Sequence, residues 1–448
     1  MSDGTGRRTY DIVFRDGIVI GAADREARPE AFVKLLAEHH GQKGNDAPAF
    51  CCCQPEPRNT RLYIGHREKA GVGYYLARYP MSGPEHLPDC EWYALPRGSS
   101  GIDGYEAGVV EEMEDGTLKV RLKRPLRKKL EVSEQIAPPP EKGPPSVGRR
   151  SQASMTLRGF LDLLWETAEL NTWHPGMAGK RTAGVVLHRL SVASKRIRAS
   201  RDLLQDVVVW GMGGLNPGEF QRQARHNRLV LEQRFKGSTP KERRLVVVVG
   251  VLTAIKDTVA GPRAVIEGMA AQKINVYLTS KLVDGLAKSF PTFQRLRAGT
   301  PQDGERVLVL LHGAIEKLAG GATVYTDIAI EAGAALSITP AWIPVESSYE
   351  RRVTDLLVDQ GRTFIKPLKF DATADVVFPD MLLTDAGVPL WPMEIYGRND
   401  PDYLQRKAAK EELYPTQYPG VECWAWDVVD QADPPAFPPK HRRRSAAA

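Results

Sequence analysis

Cysteine is scarce in this chain. Five cysteines in 448 residues, three of them consecutive at Cys51, Cys52 and Cys53 and one far away at Cys423, do not make a disulfide framework, so reduced thiols or a metal site are expected. Long apolar runs are missing too. The longest, Leu245 to Leu252, is far too short to span a bilayer, and Met1-Ser2-Asp3-Gly4 lacks the charged-then-apolar pattern of a secretory signal. A cytoplasmic location with no membrane partner is the expectation. Gly211-Met212-Gly213-Gly214-Leu215 has neither the Lys-Ser/Thr ending of a phosphate loop nor the six-residue dinucleotide pattern, and reads as a turn after Val207 to Trp210. Gly-x-Ser-x-Gly is absent, and Cys423 has no marked histidine nearby, which makes it a packed strand residue rather than a nucleophile.

What is present is a chain with 42% hydrophobic residues, enough for two to four cores, and a net charge of +6. The basic excess is concentrated: Arg149 to Arg306 holds roughly twice as many Lys and Arg as Asp and Glu, which suits contacts to phosphate. Expected strands flank a helix near Arg28 to His40, and Val109 to Leu122 alternates around the turn Glu114-Asp115-Gly116. Thr156 to Leu170, Val185 to Arg198 and Pro217 to Gln233 carry apolar residues at helical spacing, with Trp165, Trp173 and His174 in core and helix-end roles. From Val246 the chain returns to β-branched runs: Val246 to Leu252, Asn275 to Leu278, Arg306 to Leu311, Val324 to Ile330 and Leu336 to Ile343. The expected class is a multidomain α+β protein. Its parts are a β-rich region at 1–136, a proline-rich linker at 137–150, a helical basic region at 151–240, an α/β region at 241–345, a further α/β domain at 346–432 and a disordered basic tail at 433–448.

Two constellations carry chemistry. In the first, Cys51, Cys52 and Cys53 precede His86-x-x-x-Cys90, and Cys51, Cys53, His86 and Cys90 are the expected ligands of a structural zinc ion. Adjacent thiolates cannot all reach one ion, so one of the three consecutive cysteines is a bystander. His66, between the clusters, is a weaker candidate. In the second, Pro379-Asp380 and Glu394 stand in two strands separated by Thr384-Asp385-Ala386-Gly387, and a hairpin would bring both carboxylates to one end of the pair. Two oxygen ligands of this kind suit Mg²⁺.

This order, Pro-Asp followed by Glu-x-x, resembles the PD-(D/E)xK nuclease superfamily, in which the acidic pair binds the metal and a lysine two residues on positions water. Here Tyr396 stands at the lysine position. The resemblance implies a displaced lysine, for which Lys410 or Lys407 on the stretch Tyr403 to Tyr414 is available, one helical face carrying Tyr403, Lys407, Lys410 and Tyr414. It also implies an acid on the helix before the hairpin, for which Glu350 qualifies. Ser347-x-x-Glu350 is equally a capping box.

The cysteine and histidine motifs, Leu163-Leu164-Trp165 with Asn171-Thr172-Trp173, and Trp342-Ile343-Pro344-Val345-Glu346-Ser347 resemble an uncharacterised bacterial family. It is catalogued as a domain of unknown function, number eleven-seventy-three, and is frequent on plasmids and integrative elements. That mobile-element setting makes nucleic acid, DNA more than RNA, the implied partner. The leading expectation is a DNA-interacting protein with a zinc-bound β region, a basic helical middle and a restriction-endonuclease-like C-terminal α/β domain able to cleave phosphodiesters with Mg²⁺. The alternative is a non-catalytic accessory module that uses the same fold to bind DNA or protein.

Overall fold

The structure is a computed structural model. It describes residues 8–41, 47–57, 60–67, 73–78, 82–87, 90–93, 100–101, 108–113, 117–129, 154–300, 304–320, 324–368, 378–388, 390–398 and 400–441. The linker at 137–150, the turn Glu114-Asp115-Gly116 and the end of the tail from 442 lie outside these residues.

The alternating residues near the start form β1 (Ile12–Phe14) and β2 (Val19–Ile20), followed by α1 (Ala22–Ala27) and α2 (Pro29–His39). Strands β3 (Ala49–Cys51), β4 (Arg61–Arg67) and β5 (Gly73–Arg78) complete an antiparallel sheet in the order β2-β1-β3-β4-β5. Its core is small. Ile12, Phe14, Leu36, Ala49, Leu62, Ile64 and Leu76 share it with Cys51, Cys53 and Cys90. Next come the hairpin β6 (Val110–Glu112) and β7 (Leu118–Val120), then β8 (Arg127–Lys129).

Helix α3 (Leu157–Thr167) begins at Thr156, whose hydroxyl accepts the Gly159 N–H at 3.1 Å, and it buries Phe160, Leu161, Leu164 and Trp165 completely. The stretch read as helical also contains short strands: β9 (Thr172–Trp173), then α4 (Ala183–Ser194), β10 (Ile197–Ala199), β11 (Asp202–Leu203), β12 (Val208–Gly211), α5 (Pro217–Lys236) and β13 (Glu242–Arg244). These strands are two to four residues long, too short for a two-residue alternation to stand out from the helical spacing around them. A reciprocal Asn216–Glu219 cap starts α5 after the glycine-rich turn. Strand β10 lies parallel to β7 and β13 antiparallel to β8, and Asp202 takes both Arg127 at 2.8 Å and Arg234 at 3.0 Å.

The β-branched runs that follow are β14 (Val246–Thr258), β15 (Gly261–Ile266), β16 (Ile274–Tyr277), β17 (Arg306–Lys317) and β18 (Thr326–Ile338), with α6 (Ser280–Ser289) and α7 (Pro291–Arg297) between β16 and β17. Strand β14 pairs with β17 through its first half and with β15 through its second, changing register between Leu252 and Ala254, which closes β14-β15-β16-β18-β17 into a barrel. Val248, Leu252, Ile266, Val276, Val309 and Ile328 fill it, and Val283, Leu286 and Phe293 of the two helices pack onto that core. The run Leu336 to Ile343 does not continue as one strand. It turns at Pro340, which has no N–H for a ladder, with Trp342 at φ +61°, before β19 (Pro344–Val345).

The last unit runs α8 (Ser348–Asp359), β20 (Phe364–Ile365), β21 (Met381–Leu383), β22 (Trp391–Tyr396), α9 (Pro401–Gln417) and β23 (Trp424–Asp427). The sheet order is β23-β22-β21-β20-β9, with β20, β21 and β22 antiparallel and β23 parallel to β22 through the α9 crossover. Val353 and Leu357 of α8 pack with Phe364, Met381, Met393 and Ile395, while Tyr414 and Tyr418 of α9 cover Ile365 and Leu382 on the opposite face.

Candidate functional site

Strand register places the acidic pair. Met381 is opposite Met393, so one residue further along each strand Asp380 and Glu394 come side by side. Asp380 is buried, and its Oδ2 accepts the Ile395 N–H at 2.9 Å; no donor is paired with its other oxygen among the described residues. Glu394, 1% exposed, has both oxygens 2.8 Å from Lys410 Nζ and also accepts the Tyr414 hydroxyl. Lys410 donates further to the Phe378 carbonyl at 3.4 Å.

A second pair adjoins the first. Lys366, one residue past β20, is buried with its Nζ 3.0 Å from Glu350. Of the capping box Ser347-x-x-Glu350, the serine half forms and the glutamate side chain turns elsewhere. Ser347 Oγ accepts the Glu350 N–H at 3.1 Å and caps α8, while the Glu350 carboxylate accepts the Glu346 N–H at 2.9 Å and pairs with Lys366.

The electrostatics follow from crowding five charged side chains into a buried space. Burial, with Asp380 adding negative charge beside it, pushes the Glu394 carboxyl up to about 7 against the pull of Lys410. Burial likewise raises Glu350, opposed by Lys366 and reinforced by Asp380. Burial alone would lower Lys366, but the carboxylates of Glu350, Glu346 and Asp380 outweigh it and hold the ammonium above its ordinary range. From α3, Asp162 adds a buried carboxyl raised by burial to about 7, bonded to Arg158 at 2.8 Å and with no hydrogen-bond partner for Oδ1 among the described residues.

Asp380, Glu394, Glu350 and Lys410 therefore converge. Lys407 does not join them: its Nζ is 2.8 Å from Asp427 and 4.4 Å above the Tyr396 ring. Tyr396 itself is buried under α9 beside Tyr403, its phenol raised by desolvation and by Glu394. Sequence reading passed over Lys366 and Asp162 as site residues. The available signal was a charge inside apolar context, Phe364-Ile365-Lys366 and Phe160-Leu161-Asp162-Leu163, where burial demands a partner.

The other cluster lies under the N-terminal sheet. Cys51 closes β3, Cys53 follows in the turn, and His86 and Cys90 come from the segment after the 3₁₀ turn Gly83–Glu85. All four are buried and their ligand atoms lie within 4.8 Å of one another. Cys51 Sγ is 3.6 Å from Cys90 Sγ, and His86 Nδ1 is 3.5 Å from Cys53 Sγ and 3.6 Å from Cys90 Sγ. Bonds of about 2.3 Å to sulfur and 2.0 Å to nitrogen around a tetrahedral zinc put ligand atoms about 3.5–3.8 Å apart, so the cluster can hold a zinc ion. Cys52 points elsewhere and is half-buried, and His66 packs on Tyr74 at 4.2 Å.

Trp165 and Trp173 are buried and so are not available to stack on a ligand. Among the described residues no helix is long and apolar enough to cross a membrane. No curated protein and no solved structure matches this chain. The model of a family described as protein of unknown function, DUF1173, matches residues 19–429, and the chain belongs to that family.

Proposed function

We propose that this chain acts on nucleic acid, with the C-terminal sheet forming a divalent-metal-dependent phosphodiester-cleaving site. The observation that carries this reading is the meeting of Asp380 and Glu394 at one end of a sheet built in the order helix, three antiparallel strands, helix, parallel strand, with Lys410 of α9 bonded to both Glu394 oxygens. The donor set fits a hard cation. One Asp380 oxygen has no paired donor among the described residues, and two adjacent buried carboxyls with Glu394 raised to about 7 make a charge conflict that a divalent ion resolves. Such an ion would be held by Asp380 and Glu394 and would stabilise charge developing on phosphate oxygens. Lys410 would orient the attacking water or meet the developing charge, Tyr414 would fix the Glu394 carboxylate, and Lys366 pairs with Glu350 beside the two acids. The buried cysteine and histidine cluster, loaded with zinc, serves as a structural staple of the N-terminal sheet.

A second reading has its own support. Lys410 already spans both Glu394 oxygens and Lys366 already neutralises Glu350, so the cluster can stand as an internally balanced structural network in a module that only binds. The test is cleavage of single- and double-stranded DNA with Mg²⁺ or Mn²⁺ by the purified chain and its variants. The expected outcome is activity abolished in Asp380→Ala and Glu394→Ala, lowered at least a hundredfold in Lys410→Ala, and kept in Lys407→Ala, whose lysine serves Asp427. Undiminished activity in Asp380→Ala sinks the site, and binding without any cleavage in the parent chain selects the second reading.

A further inference from the structure

The closed barrel has a particular connectivity. Its first three strands β14, β15 and β16 form an antiparallel meander, helices α6 and α7 intervene, and β17 and β18 follow so that the fifth strand runs parallel to the third and the fourth closes against the first. This is the arrangement of the five-stranded Greek-key barrels whose second and third strands, flanked by the loops after strands one and four, bind oligonucleotides or oligosaccharides. Connectivity alone assigns no ligand. The side chains on the open face do.

Most of the barrel's exterior is covered. Val247, Val249, Val251, Leu308, Leu310, Ala334 and Leu336 are buried in one core with Phe160 and Leu164 of α3. Among the described residues the exterior of β15, β16 and the second half of β14 has no such cover: Lys256 is exposed, and Arg263, Val265, Asn275 and Tyr277 are half-buried. Register aligns them in rows. Lys256 is opposite Arg263 and Arg263 is opposite Tyr277, which puts two cations and an aromatic ring side by side on one face. Like charges directly opposite each other repel, and neither Lys256 nor Arg263 has a carboxylate at ion-pair distance among the described residues. The neighbouring row does not cancel them. Arg263 donates to Asn275 Oδ1 at 3.4 Å, Asn275 is anchored on Asp327 at 2.9 Å, and Asp327 lies 3.7 Å from Lys317.

The loops complete the face. Since β15 runs antiparallel and β18 parallel to β16, the β14–β15 turn and the β17–β18 loop stand at opposite ends of β16. The first presents Val259 entirely to solvent, and the second presents Val324 and Tyr325, each about half exposed. Lys273, also exposed, immediately precedes β16.

We propose that this face, with Lys256, Arg263 and Tyr277 at its centre and Tyr325 at its edge, is a binding site for single-stranded nucleic acid. The cations meet phosphates, and Tyr277 and Tyr325 stack on bases, which only an unpaired strand can offer. The site is separate from the carboxylate cluster and does not require that cluster to cleave anything.

The test uses the full chain carrying Asp380→Ala, so that no cleavage interferes, and reads fluorescence anisotropy of labelled oligodeoxythymidine against a duplex of equal length over a range of salt. Lys256→Glu with Arg263→Glu is expected to weaken single-strand binding at least tenfold and to flatten its salt dependence by about 1.4 in log–log slope, two phosphate contacts being lost. Tyr277→Ala should weaken it several-fold while Tyr277→Phe restores it. Arg228→Glu with Lys236→Glu, an equal charge change on the exposed side of α5, should leave affinity near that of the parent. Equal losses in the two charge-reversed pairs, or an unchanged affinity in the first, overturn the proposal. Photocrosslinking of 5-iodouracil oligonucleotide to the parent chain covers the case in which a variant misfolds: adducts at Tyr277 or Tyr325 are expected, and adducts confined to other regions refute the site. Binding retained in Asp380→Ala while cleavage disappears, or is absent throughout, separates this inference from the proposed catalytic function.

Discussion

The N-terminal cluster brings three thiols and an imidazole together with no cation among them, whereas the C-terminal cluster matches Glu394 with Lys410 and Glu350 with Lys366. Both are buried, and burial makes a lone charge costly in each. The thiol cluster therefore remains in conflict until an ion arrives: hydrogen bonds from Cys51 and Cys90 draw the Cys53 thiol down, while Cys51 and Cys90 are forced to keep their protons. The carboxylate cluster instead pairs Glu394 and Glu350 with its own lysines and leaves only Asp380 without one among the described residues, so a metal there would have to compete with Lys410. The first cluster can hold an ion as it stands, whereas an ion at the second would have to displace a lysine.

Removing what finishes the first cluster should have the largest effect. About one zinc per chain is expected on metal analysis, and chelation or Cys90→Ser should abolish cooperative melting of the N-terminal sheet, since three of its core residues are the proposed ligands. A metal-free protein with an intact, cooperative N-terminal transition would break the contrast. The next effect comes from removing an internal cation. Lys366→Met leaves Glu350 buried and unpaired and should lower stability by about 3–5 kcal/mol in denaturant titration, with Glu350→Gln in the same chain recovering much of it. The smallest is a pH effect. Glu394 keeps its proton in the folded chain to about 7 but releases it near 4.5 when unfolded, so its contribution is full below about 4.5 and is lost as pH rises through 7. Compared with Glu394→Gln, the parent should lose about 2–3 kcal/mol more stability between pH 5 and pH 8; parallel pH curves would show that Lys410 keeps Glu394 ionised throughout.

Much of this was legible beforehand. Helical spacing marked α3, α4 and α5, and the alternating residues before the linker marked the β6–β7 hairpin. The four clustered ligands were readable because cysteine and histidine are rare enough for their spacing to carry meaning. The barrel was not readable. Its strands appeared as separate apolar runs, and closure depends on β14 changing partners at Leu252, which is a matter of long-range pairing rather than local pattern. Similarly, Thr172–Trp173 sits in a helical stretch yet forms the edge of the C-terminal sheet, since its partner Phe364 is nearly two hundred residues away. The face of α9 that carries Lys410 followed from periodicity; that Lys407 turns to Asp427 instead depends on β23 pairing beside β22, which local spacing does not reveal.

The pairings of β7 with β10 and of β8 with β13 reach across residues 130–153. The proline-rich stretch thus divides the sequence without dividing the hydrogen bonding. A fragment begun just after it would leave β10 and β13 each missing a neighbour, with bare edges of the kind that recruit other chains and precipitate, and Arg234 and Asp202 without Arg127. For anyone cutting this protein into pieces, the place that looks safest to cut is one where the two sides still hold each other.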